Sequence, residues 1–179
     1  MADHGRILAV DDTPASLKLL TELLQAEGYV VRSAIQGELA LQSALIDPPE
    51  LVLLDIRMPG MDGFEVCRRL KAAPVTAHIP IIFVSALTDT EDKVRGFGLG
   101  AVDFVTKPYQ REELLARVRT HLEVMRLRHR LEDQVEQRTH KLRESREQLK
   151  KTLTDFITVL GATVEVRDPY TAGHQRRVA

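Results

Sequence analysis

Five side chains that can do chemistry stand where short apolar runs stop. Ile7-Leu8-Ala9-Val10 ends on the acid pair Asp11-Asp12, and Leu51-Val52-Leu53-Leu54 ends on Asp55. The run 79–84 ends on Ser85-Ala86, and the run 102–106 ends on Lys107-Pro108. Taken singly each has a plain explanation: Asp55 as a turn cap, Ser85 as a strand-end cap, Lys107 as a solvated loop charge. Their joint placement is what points to a site. Unbroken apolar runs are the habit of strands buried on both faces of a parallel sheet. In such sheets ligands bind beyond the carboxyl ends of the strands. Asp11, Asp12, Asp55, Ser85 and Lys107 are therefore expected together on one edge.

Three converging carboxylates repel one another unless a cation neutralises them, and hard oxygen ligands of this kind suit Mg²⁺. An aspartate can also attack phosphorus to form an acyl phosphate. A lysine ammonium and a metal would then neutralise the phosphoryl oxygens, while a hydroxyl donates a hydrogen bond to one of them.

The elements that must position these groups alternate along the chain. A helix opens at Thr13-Pro14, with a leucine stripe at 17, 20, 23 and 24, and Gly28 stops it. A strand is expected over 29–33, helices over 37–45 and 64–73, a strand over 79–84 and a short helix over 90–98. Five strands alternating with helices predict an α/β fold, a five-stranded parallel doubly wound sheet with right-handed crossovers.

Residues 5–125 resemble the receiver domain of bacterial two-component response regulators, a flavodoxin-like fold. The resemblance rests on Asp11-Asp12, on Asp55 through Asp62-Gly63, on Ser85-Ala86 and on Lys107-Pro108. It implies that Asp55 is the phosphoacceptor, serving a histidine kinase or phosphotransfer protein. It further implies that Asp12 and Asp55 bind Mg²⁺ directly, Asp11 mainly through water, and Arg57 by its backbone carbonyl. Ser85 and Phe104 match the family's switch pair, Lys107 its phosphate-pairing lysine, and the Lys107–Pro108 peptide its cis bond. Phe104 lacks the hydroxyl of tyrosine-bearing members. On phosphorylation Ser85 is expected to move toward Asp55 and Phe104 to turn inward, reshaping the face of the fourth helix, fifth strand and fifth helix. The haloacid dehalogenase phosphatases also resemble this strand end, but they carry a second acid two residues on, where this chain has Arg57. Neither G-x-x-x-x-G-K-[ST] nor a G-x-G-x-x-G after the first strand occurs.

The chain has 179 residues, a formal net charge of −1 and one cysteine, Cys67. That balance calls for neither nucleic acid nor an anionic membrane, and with no long apolar run the expected location is the cytoplasm. From residue 110 a helix is expected to continue far past the receiver, because no glycine or proline falls between Pro108 and Gly161. Val135, Leu142, Leu149 and Phe156 recur every seven residues, a coiled-coil signal, while Arg138, Ser145 and Thr152 fill the opposing positions. A parallel homodimer is expected, against the plainer reading of a single solvated helix. Residues 161–179 resemble the opening of HD-GYP cyclic di-GMP phosphodiesterases, with His174 matching an early metal ligand. Tyr170 stands where some members carry a glutamate for an additional metal, so two transition metals are implied for a complete output domain. The expected organisation is a receiver over 5–125, a coiled-coil linker over 126–160 and a truncated output domain over 161–179. The chain is expected to have no enzymatic activity beyond self-phosphorylation and dephosphorylation. The alternative is a stand-alone adaptor acting by protein contact.

Overall fold

The computed structural model describes residues 4–86 and 90–167. Strand β1 is Arg6–Val10, β2 Val30–Ala34, β3 Leu51–Leu54, β4 Ile81–Ser85 and β5 Asp103–Thr106. Helices α1 to α4 are Pro14–Ala26, Gly37–Ile46, Gly63–Ala72 and Thr90–Gly98, and α5 is Arg111–Arg167. All four strand pairings are parallel, in the order β2-β1-β3-β4-β5. β3 and β4 are buried at every residue, which is why they read as unbroken apolar runs.

The sheet separates two apolar layers. Leu8, Val10, Val52, Leu54, Ile81 and Phe83 face one layer with α2 and α3, while Ile7, Ala9, Leu51, Leu53, Ile82 and Val84 face the other. Successive residues point to opposite faces of a strand, so both layers draw on the same three runs. Leu114, Leu115, Val118 and Leu122 seat the first part of α5 in the second layer.

Several element ends, those of β2, α3, β4 and β5 among them, shift by one or two residues from the sequence expectation, and at the start of β4 the reason is local. β4 begins at Ile81 rather than at residue 79, because Pro80 has no N–H to donate; its carbonyl accepts from the Val52 N–H at 3.0 Å just ahead of the ladder. Ser85 is the last residue of β4 rather than the first beyond it. The helix through 161–167 continues without a break where an output domain was expected to begin, and the chain divides into two compact units between Leu127 and Arg128. Tyr170 and His174 lie outside the described residues. Among the described residues, no helix is long and apolar enough to cross a membrane.

The turn from β3 to α3 closes tightly. Asp62 caps α3 by accepting from the Glu65 N–H at 2.7 Å, and the Gly63 N–H donates to the Ile56 carbonyl at 2.9 Å. A Cβ at Gly63 would collide with the Asp55 carbonyl oxygen and stand 2.8 Å from the Ile56 Cα. Both obstacles are backbone and cannot swing aside. Gly63→Ala is therefore expected to lower stability by about 1–3 kcal/mol, read as a drop in the urea midpoint at constant m-value.

Candidate functional site

The ladder carries the site residues into register. The Asp55 N–H donates to the Val10 carbonyl at 2.9 Å, the Asp11 N–H to Ala34 at 3.2 Å and the Lys107 N–H to Ser85 at 2.9 Å. Each of these residues thus extends its strand by one step onto a common edge. Asp11, Asp12 and Asp55 each bring one carboxylate oxygen within 4.8 Å of the others. Lys107 Nζ donates to Asp11 Oδ2 at 2.7 Å and to Asp55 Oδ2 at 2.5 Å. The other oxygens are held by backbone: Thr13 N–H donates to Asp11 Oδ1 at 2.9 Å and Arg57 N–H to Asp55 Oδ1 at 3.2 Å.

Asp11 and Asp55 are buried, and Asp12 is half-exposed. Burial works against the charge on Lys107, but the hydrogen bonds and charges of Asp11 and Asp55 outweigh it and hold its pKa above the usual lysine value. Three carboxylates against one ammonium formally leave two negative charges on the edge. That donor set, all hard oxygen and doubly negative, fits a divalent cation such as Mg²⁺.

The structure gathers Asp11, Asp12, Asp55 and Lys107 as expected from the sequence. Ser85 is buried at the end of β4, paired in register with Thr106, the residue before the lysine. The side chain of Arg57 is exposed, and the residue meets the acid cluster through its backbone N–H. Lys107–Pro108 is cis. Phe104 is half-buried, its ring centroid 5.0 Å from that of Phe83 and 5.2 Å from that of Phe97 on α4.

Two features of this region were not read from the sequence. Gly96 makes room for Phe104: a Cβ there would run into the Phe104 ring and stand 3.0 Å from Phe83 Cε2. The isolated glycine inside α4 was the available signal. The second is an ion cluster between β5 and α5, in which Arg117 Nη1 donates to both carboxylate oxygens of Asp103 at 2.8 Å and His121 Nε2 lies 3.1 Å from Oδ2.

The profile of the response regulator receiver domain matches residues 7–119. The chain belongs to this family. It is 50% identical over 116 residues to the response regulator PleD of Caulobacter vibrioides, covering 65% of this chain and 26% of that protein. It is 40% identical over 172 residues to a probable cyclic di-GMP phosphodiesterase of Vibrio cholerae, covering 96% of this chain and 38% of that protein. Other similar proteins are named as a DNA-binding dual master transcriptional regulator and as a DNA-binding response regulator. The chain thus spans well under half the length of these first two relatives. Among solved structures, a putative response regulator from Chloroflexus aurantiacus superimposes with a TM-score of 0.64 at 36% identity, over 66% of this chain and 98% of that one. The chain therefore carries a receiver of the two-component type.

Burial opposes the charge on Asp103, yet the hydrogen bonds from Arg117, the Phe104 N–H and His121 hold its carboxyl below the usual range. A depressed carboxyl contributes stability that is present above its ordinary value and is lost as pH falls through the depressed one. Arg117→Gln is expected to cost about 1 kcal/mol at neutral pH. It should also flatten the loss of stability below about pH 4, which thermal melts from pH 7 to pH 2 would show.

Proposed function

We propose that the chain accepts a phosphoryl group on Asp55 from a histidine kinase or phosphotransfer protein. The observation that carries this reading is the Asp11, Asp12 and Asp55 cluster with the Lys107 ammonium bridging Asp11 and Asp55. In the transfer the N–P bond of a phosphohistidine breaks as an Asp55 O–P bond forms, and the imidazole keeps the electron pair and takes up a proton. Asp12, Asp55 and the Arg57 carbonyl, with Asp11 mainly through water, would hold Mg²⁺, which would supply positive charge against the phosphoryl oxygens. Lys107 shifts from sharing two carboxylates to pairing with the new phosphoryl group, and the Ser85 hydroxyl donates to one of its oxygens. Phe104 then follows Ser85 and alters the surface of α4 and β5.

The relay runs through α5 into a parallel dimer. Leu131, Val135, Leu142, Leu149 and Phe156 are all exposed on one helix. Burying each is worth up to ~1.5–3 kcal/mol, so the row from two copies offers up to roughly 15–30 kcal/mol against the ~4–15 kcal/mol that association costs. A second copy is thus the fitting occupant, while Arg138, Ser145 and Thr152 in the opposing positions weaken the pairing enough for the receiver to control it. The output is a metal-dependent cyclic di-GMP phosphodiesterase, with His174 among its ligands. The support is the match to the V. cholerae protein, which continues through the linker helix and past it. The protein works in the cytoplasm, where a lone cysteine stays reduced.

Incubated with Mg²⁺ and a small acyl-phosphate donor, the chain should gain the mass of one phosphoryl group, and Asp55→Asn should not. Labelling that persists in the variant would overturn the assignment. Analytical ultracentrifugation with and without beryllofluoride reads the relay: a monomer that dimerises only with the mimic means the receiver controls assembly. A dimer under both conditions means the helix sets the oligomer and phosphorylation acts within the pair.

A further inference from the structure

Resting on the dimer reading, we propose that the linker seam does not keep one heptad phase: its apolar edge crosses at Leu142 from the Leu131 side of the helix to the Leu153 side. Val135, Leu142, Leu149 and Phe156 form one row, and a two-helix seam needs a second row beside it. Ahead of Val135 that second row is four residues back, at Leu131, where the other flank offers Glu132. Beyond Leu149 it is four residues on, at Leu153 and Leu160, where strict counting by sevens from Leu131 offers Thr152 and Val159, so Leu153 against Thr152 is the pair that separates the two phases. Leu153 and Leu160 are exposed, like the row itself.

Moving from one flank to the other inserts four residues into the heptad pattern, a stutter that locally unwinds a coiled coil. Leu131, Leu142 and Leu153 are eleven residues apart, the repeat that suits such an unwound stretch. Leu142 belongs to both phases. The seam positions one turn to either side of it are Arg138 and Arg146, both exposed on the helix. Whichever phase reaches the centre brings one of these arginines against its copy in the partner. Like charges there keep the middle of the seam from closing tightly, so the phase change sits where pairing is weakest. The two arrangements exchange Arg138 for Arg146 in the seam, and a small rotation at the receiver end suffices to favour one over the other.

Single cysteines placed at 131, 145, 152, 153 and 160 in the full chain test this by oxidative cross-linking. The native Cys67 is buried and its thiol is pushed up to about 11, so it stays silent near neutral pH. Disulfides form only where the two Cα atoms come within about 7 Å, which separates seam positions from their neighbours. Leu131→Cys, Leu153→Cys and Leu160→Cys are expected to give linked dimers, with Leu153→Cys at least about tenfold faster than Thr152→Cys. Fast linkage at 131, 145 and 152 with little at 153 would mean one unbroken heptad phase: the dimer stands and the phase change fails. No linkage at any position together with a monomer by sedimentation would overturn the dimer reading itself.

Discussion

The receiver depends on a concentration of negative charge that the fold cannot leave unbalanced. Asp11, Asp12 and Asp55 meet because neighbouring parallel strands end on one edge, and Lys107 arrives from the end of another. In a half-buried setting the repulsion among carboxylates is far larger than in water, so the ammonium that pairs with Asp11 and Asp55 is a structural requirement before it is a chemical one. The same imbalance makes the edge responsive. A phosphoryl group on Asp55 would add negative charge and claim Lys107 for itself, so the local arrangement could not stay as it is.

What lies nearest to that edge is built to accommodate a change. Phe104 stands two residues from Thr106, the register partner of Ser85, and its ring is lodged between Phe83 and Phe97 over the backbone of Gly96. Edge and tilted contacts hold the ring by aromatic packing, and a side chain at Gly96 would displace it from that place. Next to it, Asp103 is tied to Arg117 and His121, which adds charge to the apolar packing of Val105 in the layer that holds Leu114 and Val118 of α5. Movement of β5 is therefore felt by α5 through an ion cluster that is directional and short-ranged.

The order of residues reveals those features that depend on neighbours along the chain. Buried parallel strands are continuous apolar runs, so their ends, and with them Asp11, Asp12, Asp55 and Ser85, are legible in the amino-acid sequence itself, while Lys107 follows the more polar and only partly buried β5. Boundaries moved by a residue or two where a local rule intervened, as Pro80 did at the start of β4. The Phe104–Gly96 contact and the Asp103–Arg117–His121 cluster were not readable in the same way. Each joins side chains on different elements, and only the packed sheet brings them together. Counting by sevens likewise found the row Val135, Leu142, Leu149 and Phe156 of the linker, while Leu153 and Leu160 stand outside any row counted from Leu131.

The two parts of the long helix are held differently. Up to residue 126 it is fixed: Leu114, Leu115, Val118 and Leu122 are in the core, and Arg126 Nη2 donates to Glu50 Oε2 at 3.0 Å and to the His4 carbonyl at 2.8 Å. From Arg128 to Leu160 every side chain is exposed. A helix transmits rotation well but stores none of it, and signal transfer needs an element with two discrete arrangements that both ends can bias. A strict, fully apolar heptad seam would lock one arrangement. A fully polar one would hold neither. The proposed seam, whose apolar edge changes side past a pair of arginines, would lie between those limits, and there a shift of about 1–3 kcal/mol at the receiver, the usual size of allosteric coupling, would decide the outcome.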